Sequence, residues 1–369
     1  MKIYTATLYR NNYGSALQAV ALQQKIKELG GDAVIIGVRT KQEKLGLKDR
    51  LVLFFRPEKH YGIIRKIRRS LQRKIYTEKT RKINEFVFQN ATVKKFEDCA
   101  AEIEANGGVL LAGSDQVWST LNHPINGFYL FDYIGNPNIK RVSYAASIGT
   151  SEIDVDHIEY YKKVLKPFDV VSLREKAAYE ILSKHLENRI VRQDVDPTLL
   201  FNGEHWESFA RDRLYDKPYV FIYMLRPSSE VIQIARELAR QKQLDIIYMG
   251  LYVNHYHGIK TIDDAGVEEF LSYIKHADIV VTNSFHGTVF SLLFEKKFVS
   301  VKIESTSSRV ESLLNLTDMQ DHLISGVEDC GVALQEYDTN AVGFKLEDLR
   351  MRSVDYLNSI IKRALGVEE

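Results

Sequence analysis

The sequence predicts an α/β fold made of two halves around a cleft, and three observations predict it. Apolar, strand-like runs alternate with helical stripes from the first residues onward. A second series of the same kind starts near Pro218. The chain has 369 residues, more than one apolar core usually serves, and 45% of them are hydrophobic, enough to fill two.

The N-terminal unit reads strand, loop, helix, strand. Ile3–Leu8 is strand-like, and Arg10–Gly14 is a polar loop. Ala16–Leu29 carries a helical stripe (Leu17, Val20, Ala21, Leu22, Ile26, Leu29) that Gly30-Gly31 stops, and Ala33–Val38 is a second strand. A βαβ unit of this kind implies a parallel sheet. Strands follow at Gly108–Ala112, Arg141–Ser147 and Asp169–Leu173, with helices at Asp156–Leu165 and Glu175–Leu186. The second series runs strand Tyr219–Leu225, helix Ser229–Gln241, strand Asp245–Gly250, helix Val267–His276, strand Ile279–Thr282, helix Gly287–Phe294 and strand Phe298–Val301. A C-terminal helix covers Leu346–Leu365. The domains expected are therefore 1–190, with a basic helical insertion near 60–85, and 191–345, followed by a helix at 346–369 that packs back on the first. Ligands of such sheets collect at the carboxyl ends of the strands.

Charge narrows the function. The chain has 50 basic and 49 acidic side chains, which argues against a nucleic-acid binder. Cys99 and Cys330 have no metal-ligand spacing and read as free thiols. The N-terminus enters a strand directly, without a signal peptide, and no apolar run is long enough to span a bilayer, so a cytoplasmic protein is expected. One segment stands apart. Arg65–Lys82 holds nine basic residues, with Ile63, Ile67, Leu71 and Ile75 repeating every four residues between them. This amphipathic helix, preceded by the apolar run Val52–Phe55, suits peripheral membrane contact through residues 63–82, contact with an anionic lipid-linked substrate, or packing of its stripe on the domain.

Four polar constellations sit at strand ends. His286 follows Ile279–Thr282 and stands before Gly287, among Asn283, Ser284 and Thr288. A histidine there can donate a proton near neutral pH, and a helix N-terminus beside it favours an anion; the structural reading is a capping or core histidine. Gly113-Ser114-Asp115-Gln116-Val117-Trp118 follows Val109–Leu111. Here Asp115 can accept a hydroxyl proton and Trp118 can stack on a sugar, or Asp115 can simply cap a helix. Asn11-Asn12-Tyr13-Gly14-Ser15, with Gln18 one turn later, lies at the first strand-to-helix turn. Arg174 ends a short strand, where its guanidinium can grip a carboxylate or phosphate, or form a structural ion pair. No G-x-G-x-x-G occurs at the first turn and no Walker A sequence occurs anywhere. Asp194-x-Asp196 reads as a turn before Pro197, and His255-x-His257 lacks a third ligand, so no metal is expected.

Together these pieces resemble the polysaccharide pyruvyl transferase family. The resemblance is carried, in order, by Asn12-Tyr13-Gly14 with Leu17-Gln18-Ala19, by Ala112–Trp118, by Ser143–Gly149, by Ser172–Glu175, by Asp196–Leu200 and by Thr282–Thr288. Residues 40–95 lie outside it. It implies a fold similar to the GT-B glycosyltransferases, with two Rossmann-like domains facing a cleft. The first domain would be on the acceptor side and the second on the donor side. It further implies phosphoenolpyruvate as donor, a sugar of a cell-surface polysaccharide or its lipid-linked precursor as acceptor, and no cofactor. The product would be a cyclic pyruvate ketal, with phosphate released. The protein itself is expected in the cytoplasm, free or at the inner face of the membrane. By resemblance His286 matches the family's motif histidine and Arg174 an arginine near the donor. Taken with the strand-end constellations, this puts His286 and Asp115 in catalysis; Arg174, Asn283, Ser284, Gly287, Thr288 and Arg309 at the donor; and Asn12, Tyr13, Gly14, Gln18, Ser114, Gln116 and Trp118 at the acceptor. The sequence departs from the family at Ser284, where many members have an arginine. Arg309 is the candidate to replace it. The alternatives are a nucleotide-sugar-dependent glycosyltransferase on the same fold and a non-catalytic glycan-binding relative.

Overall fold

The computed structural model describes residues 1–10, 12–37, 62–120, 124–136, 139–150, 152–186, 189–251, 254–303 and 307–365, and for residues 62–75 and 365 the backbone alone. Two parallel sheets organise it. The first has seven strands: β1 (Lys2–Ala6), β2 (Asp32–Ile36), β3 (Val93–Lys94), β4 (Val109–Ala112), β5 (Lys140–Ser143), β6 (Val170–Leu173) and β7 (Ile190–Gln193), in the order β3-β2-β1-β4-β5-β6-β7. The second has six: β8 (Tyr219–Met224), β9 (Asp245–Gly250), β10 (Lys260–Thr261), β11 (Ile279–Thr282), β12 (Lys297–Val301) and β13 (Leu323–Ile324), in the order β10-β9-β8-β11-β12-β13. Every strand pair is parallel, and the central strands are buried along their whole length, as continuous apolar runs such as Val109-Leu110-Leu111-Ala112 require.

The helices are α1 (Tyr13–Glu28), α2 (Gly62–Asn90), α3 (Phe96–Asn106), α4 (Val155–Leu165), α5 (Lys176–His185), α6 (Gly203–Glu207), α7 (Ser229–Lys242), α8 (Val267–Lys275), α9 (Phe285–Leu293), α10 (Ser308–Leu316) and α11 (Thr339–Leu365). Each sheet has one point where its strand order reverses, between β1 and β4 in the first and between β8 and β11 in the second. Such reversals splay the flanking loops and open a crevice at the carboxyl edge.

Several expected boundaries move. The first sheet continues past residue 190 into β7, so the sheets part between Gln193 and Tyr219. Helix α11 begins at Thr339, and α9 opens at Phe285, which places His286 inside its first turn. Strand β5 stops at Ser143; Ala145 turns into the left-handed region at φ 46° and residues 144–149 form a loop. The short strands β3, β10 and β13 have too few residues to show a period, and strand β7 is only partly buried.

The two halves share one apolar core that includes Leu17 and Ile35 as well as Phe221 and Phe290. Tyr13 joins them most directly. Its ring stacks on Phe270 at 4.7 Å and its hydroxyl donates to the Ala265 carbonyl at 2.9 Å. Helix α11 returns to the first sheet, where the Tyr356 hydroxyl donates to Ser143 O at 2.8 Å and its ring stacks against Tyr144.

The apolar positions Ile63, Ile67, Leu71 and Ile75, the basic residues from Arg65 to Lys74 and the run Val52–Phe55 lie outside the described side chains. Farther along α2 the basic residues diverge. Lys79 is buried; its ammonium donates to Gly250 O at 2.7 Å and lies over the Tyr13 ring. Lys82 pairs with Glu269 at 3.2 Å. Arg81 is exposed beside Glu78 and Glu85. Lys79 and Lys82 thus face the second half of the protein. Among the described residues no helix is long and apolar enough to cross a membrane.

Candidate active site

Loops at the carboxyl ends of the strands of both sheets come together. From the first sheet come Ser15 at the start of α1, Ser114 and Asp115 after β4, Arg174 after β6 and Asp196 after β7. From the second come His286 in α9 and Arg309 in α10.

The strand-to-helix elbow after β11 explains most of its own sequence. Thr282 Oγ1 donates to Tyr223 O at 2.7 Å and accepts from Ser284 N at 3.0 Å. Asn283 accepts from Leu225 N at 2.9 Å and donates to Arg226 O at 2.8 Å, fastening the end of β11 to that of β8. Ser284 caps α9 by accepting from Gly287 N at 3.4 Å. Thr288 is buried and meets Ser284 O and Ser300 Oγ. A side chain at position 287 would overlap Thr282. The side chains of Asn283, Ser284 and Thr288, expected at the donor, instead build the turn that presents His286, and Gly287 makes room for it.

His286 is buried, with Nε2 3.6 Å from Asp196 Oδ2 and no hydrogen-bond partner of its own. Its ring lies against the backbone of Gly14; a Cβ there would sit 2.6 Å from Cε1 and closer still to Nδ1. Asn12 caps α1 by accepting from Gly14 N at 2.9 Å, which sets that approach.

Asp196, which the sequence presents as a turn residue, is the hub. It does cap the turn at Pro197–Leu200, accepting from Thr198 N and Oγ1 at 3.0 and 2.7 Å through Oδ1. Its other oxygen receives Arg174 Nη1 and, at 3.3 Å, the Ser114 hydroxyl. Burial opposes its ionisation, but His286, Arg174 and Thr198 outweigh that and hold its pKa well below the carboxylate range. The clue in the sequence was the run Asp196–Leu200, one of the pieces that carry the family resemblance. Asp194 has a separate partner, Arg192, at 2.6 Å, and no group of metal-ligating side chains occurs among the described residues.

Asp115 adopts φ 72°, an uncommon conformation for a non-glycine residue that is found at functional sites more than elsewhere. It accepts from the Ser15 hydroxyl at 2.5 Å and from Gln116 N at 2.8 Å. Burial again works against the charge, while Arg174, His286, Ser15 and Arg309 lower its pKa below the ordinary value. Ser15 has no signature beyond its place in the first turn.

Arg174 is buried over the Phe285 ring, with its guanidinium carbon 4.6 Å from the centroid. Nη1 is engaged by Asp196, and Nε and Nη2 have no partner. Arg309 Nε is also unpartnered, and burial together with the like charge of Arg174 lowers its pKa to about 10. Both arginines line a cavity of about 290 Å³ between the ends of β6 and β7 and helices α10 and α11.

Three expected acceptor residues are placed otherwise. Trp118 is 0% exposed, edge-on to Phe168 at 5.2 Å, with its indole N–H toward Tyr129 O; no ring face is open to a sugar. Gln18 is buried and ties Leu8 O, Ser15 O and Thr7 together. Tyr13 is the joint between the halves. Gln116 is partly buried beside Gly149. Asn11 lies outside the described residues. The loop at residues 147–149 is held by the buried Glu175, which accepts from the Ser147 hydroxyl and from Ile148 N and Gly149 N.

Known structures with this architecture include the S. aureus MnaA–UDP co-structure (14% identity, TM-score 0.53, covering 100% of this chain and 97% of that one). Another is UDP-N-acetylglucosamine 2-epimerase from Rickettsia bellii (13% identity, TM-score 0.50, 100% of both chains). At these identities the likeness is one of fold, and the fold is GT-B-like. No curated protein sequence matches the chain significantly. The sequence model described as Polysaccharide pyruvyl transferase matches residues 12–305. That span holds the whole cluster except for Arg309, and by it the chain belongs to the polysaccharide pyruvyl transferase family.

Proposed function

We propose that this protein transfers pyruvate from phosphoenolpyruvate to a sugar of a cell-surface polysaccharide or its lipid-linked precursor, forming a cyclic ketal. The observation that carries this reading is the pairing of a buried histidine–aspartate contact, His286–Asp196, with two arginines that keep unpartnered N–H groups beside it. Such an arrangement suits a small dianionic donor that must be protonated on carbon.

In this reading the donor lies between Arg174 of the first half and Arg309 of the second. Both halves then contribute to the donor, while Asp115, Ser15 and Ser114 face the acceptor. Arg309 takes the place of the arginine absent at Ser284, a position filled here by the cap of α9. His286 gives a proton to the methylene carbon, and the adjacent carbon becomes electrophilic. A sugar hydroxyl, oriented by the ionised Asp115, bonds to that carbon. The carbon–oxygen bond to phosphate then breaks, helped by the guanidinium charges. A second hydroxyl closes the ring. One of the two hydroxyl protons restores His286 and the other leaves with phosphate. Asp196 is suited to stabilising the charged imidazole, as a carboxylate beside a catalytic histidine does.

The test is to incubate candidate lipid-linked glycans with phosphoenolpyruvate and follow phosphate release and product mass together. A gain of pyruvate less water on one sugar, matched by phosphate, supports the proposal. Stabilisation by nucleoside diphosphates, with none by phosphoenolpyruvate, would favour the glycosyltransferase alternative.

A further inference from the structure

The 290 Å³ cavity has two ends of different character. Its inner end is formed by Arg174, Asp196 and Phe285, with Arg309 beside them. At its outer end stands Arg352, whose side chain is 70% exposed, so the cavity reaches solvent on the α10–α11 face. Its wall is mixed, with Leu313 and Leu316 from α10 and Leu349 from α11 on one side and the Arg192–Asp194 ion pair on the other. His286, Asp115, Ser15 and Ser114 do not line it. Asp196 adjoins both: it lines the cavity, and its Oδ2 lies 3.6 Å from His286 Nε2.

The inner end is built for an anion. Nε and Nη2 of one guanidinium form the side-on fork that matches two oxygens of a phosphate or carboxylate. In Arg174 that pair is free, because Asp196 occupies Nη1. Arg174 is also 95% buried, and a buried guanidinium with two orphaned N–H groups is costly unless a ligand completes it. Arg309 adds a third unpartnered N–H and a second positive charge at the same place. Arg174, Arg192, Arg309 and Arg352 line the cavity against two carboxylates, Asp194 and Asp196, and an anion offsets that excess of positive charge where water does not.

We infer that this cavity is a phosphate subsite with its own door: it receives the phosphate end of the donor at Arg174 and Arg309 and lets the released phosphate leave between α10 and α11. This rests on the proposed donor. The chemistry explains why a second door would serve. The leaving group departs while the sugar still occupies the cleft and must close its ring, so an exit that does not cross the acceptor avoids a steric conflict.

The experiment fills the cavity from its wall. Leu316→Trp and Leu349→Trp replace partly buried residues that touch none of the catalytic groups, and melting temperatures near wild type establish that each variant is folded. Binding of inorganic phosphate and of phosphoenolpyruvate is measured separately by calorimetry, and KM is measured for donor and acceptor. We expect wild type to bind both anions in competition. At least one folded variant should lose about tenfold or more in affinity for both, with a raised donor KM and an unchanged acceptor KM. Unchanged phosphate and phosphoenolpyruvate affinity in both folded variants overturns the subsite while leaving the proposed reaction standing. If wild type binds phosphate and the variants do not, but phosphoenolpyruvate neither binds nor reacts, the phosphate subsite holds and the proposed donor fails.

Discussion

Gly14 is pressed against the imidazole of His286, across the junction between the two halves of the protein. The contact leaves no room for a side chain at position 14, and it couples the start of α1 to the first turn of α9. The imidazole is thereby held on one side by backbone and on another by Asp196 at 3.6 Å. Gly14→Ala should displace the ring rather than unfold the chain. Displacements near 1 Å in a catalytic group cost on the order of 100-fold in rate. The expected result is a fall in kcat of about that size with a melting temperature lowered by a few degrees at most, checked by steady-state kinetics and thermal unfolding. Near-wild-type kcat would show that the ring position is not critical.

Asp196→Asn should destabilise the protein as well as inactivate it, because it leaves Arg174 as a buried cation without its counter-charge. Breaking a buried pair of this kind costs about 3–5 kcal/mol. The pH dependence has a definite sign. The folded pKa of Asp196 lies below the unfolded value of about 3.9, so its contribution is complete above roughly pH 5 and declines as pH falls toward the folded pKa. The stability gap between wild type and Asp196→Asn should therefore narrow by roughly 1 kcal/mol between pH 7 and pH 3. Denaturant titrations across that range measure it, and a constant gap would argue against an ionised Asp196.

Lys79 gives the opposite case. Burial lowers its pKa to about 8, so below pH 8 the desolvation penalty is fully present in the folded state. Between pH 8 and about 10.5 the unfolded chain holds the proton more tightly, and stability rises with pH by up to about 1.4 kcal/mol per unit. Lys79→Met lacks this titration. Wild type should gain on the variant over that interval and keep a constant difference from it between pH 6 and pH 7.

Trp118→Leu should act on stability and not on the acceptor. Removing a fully buried indole that packs on Phe168 costs roughly 3 kcal/mol, near the low end for aromatic truncations because leucine refills part of the space. Chemical denaturation measures that loss, while acceptor KM in the folded fraction should stay within about twofold of wild type. A selective rise in acceptor KM would restore the stacking role suggested by the sequence.

The alternation of strands and helices was legible because covered parallel strands are continuous apolar runs, and Val109–Ala112 and Ile279–Thr282 are both of that kind. The place of the site was legible for the same reason: polar clusters that follow such runs fall on the ligand edge. Roles within the clusters were harder to read. The side chains of Asn283, Ser284 and Thr288 look like a ligand cradle in one dimension, yet each is engaged within the elbow they form. Trp118 sits one turn from Asp115 and points into the core, a choice set by Phe168, fifty residues later in the chain. Asp196 looked like punctuation before a proline because Arg174 reaches it only through the pairing of β6 with β7, and His286 only when the two sheets dock.

The proposed protonation of phosphoenolpyruvate by His286, for transfer to a glycan, leaves an isotopic mark in the product. It is tested most directly by comparing wild type with His286→Gln in deuterium oxide and analysing the acceptor by mass spectrometry. Wild type should add pyruvate less water with one solvent deuteron in the new methyl group, and folded His286→Gln should form no product. Ketal formation by His286→Gln at a rate close to wild type would contradict it.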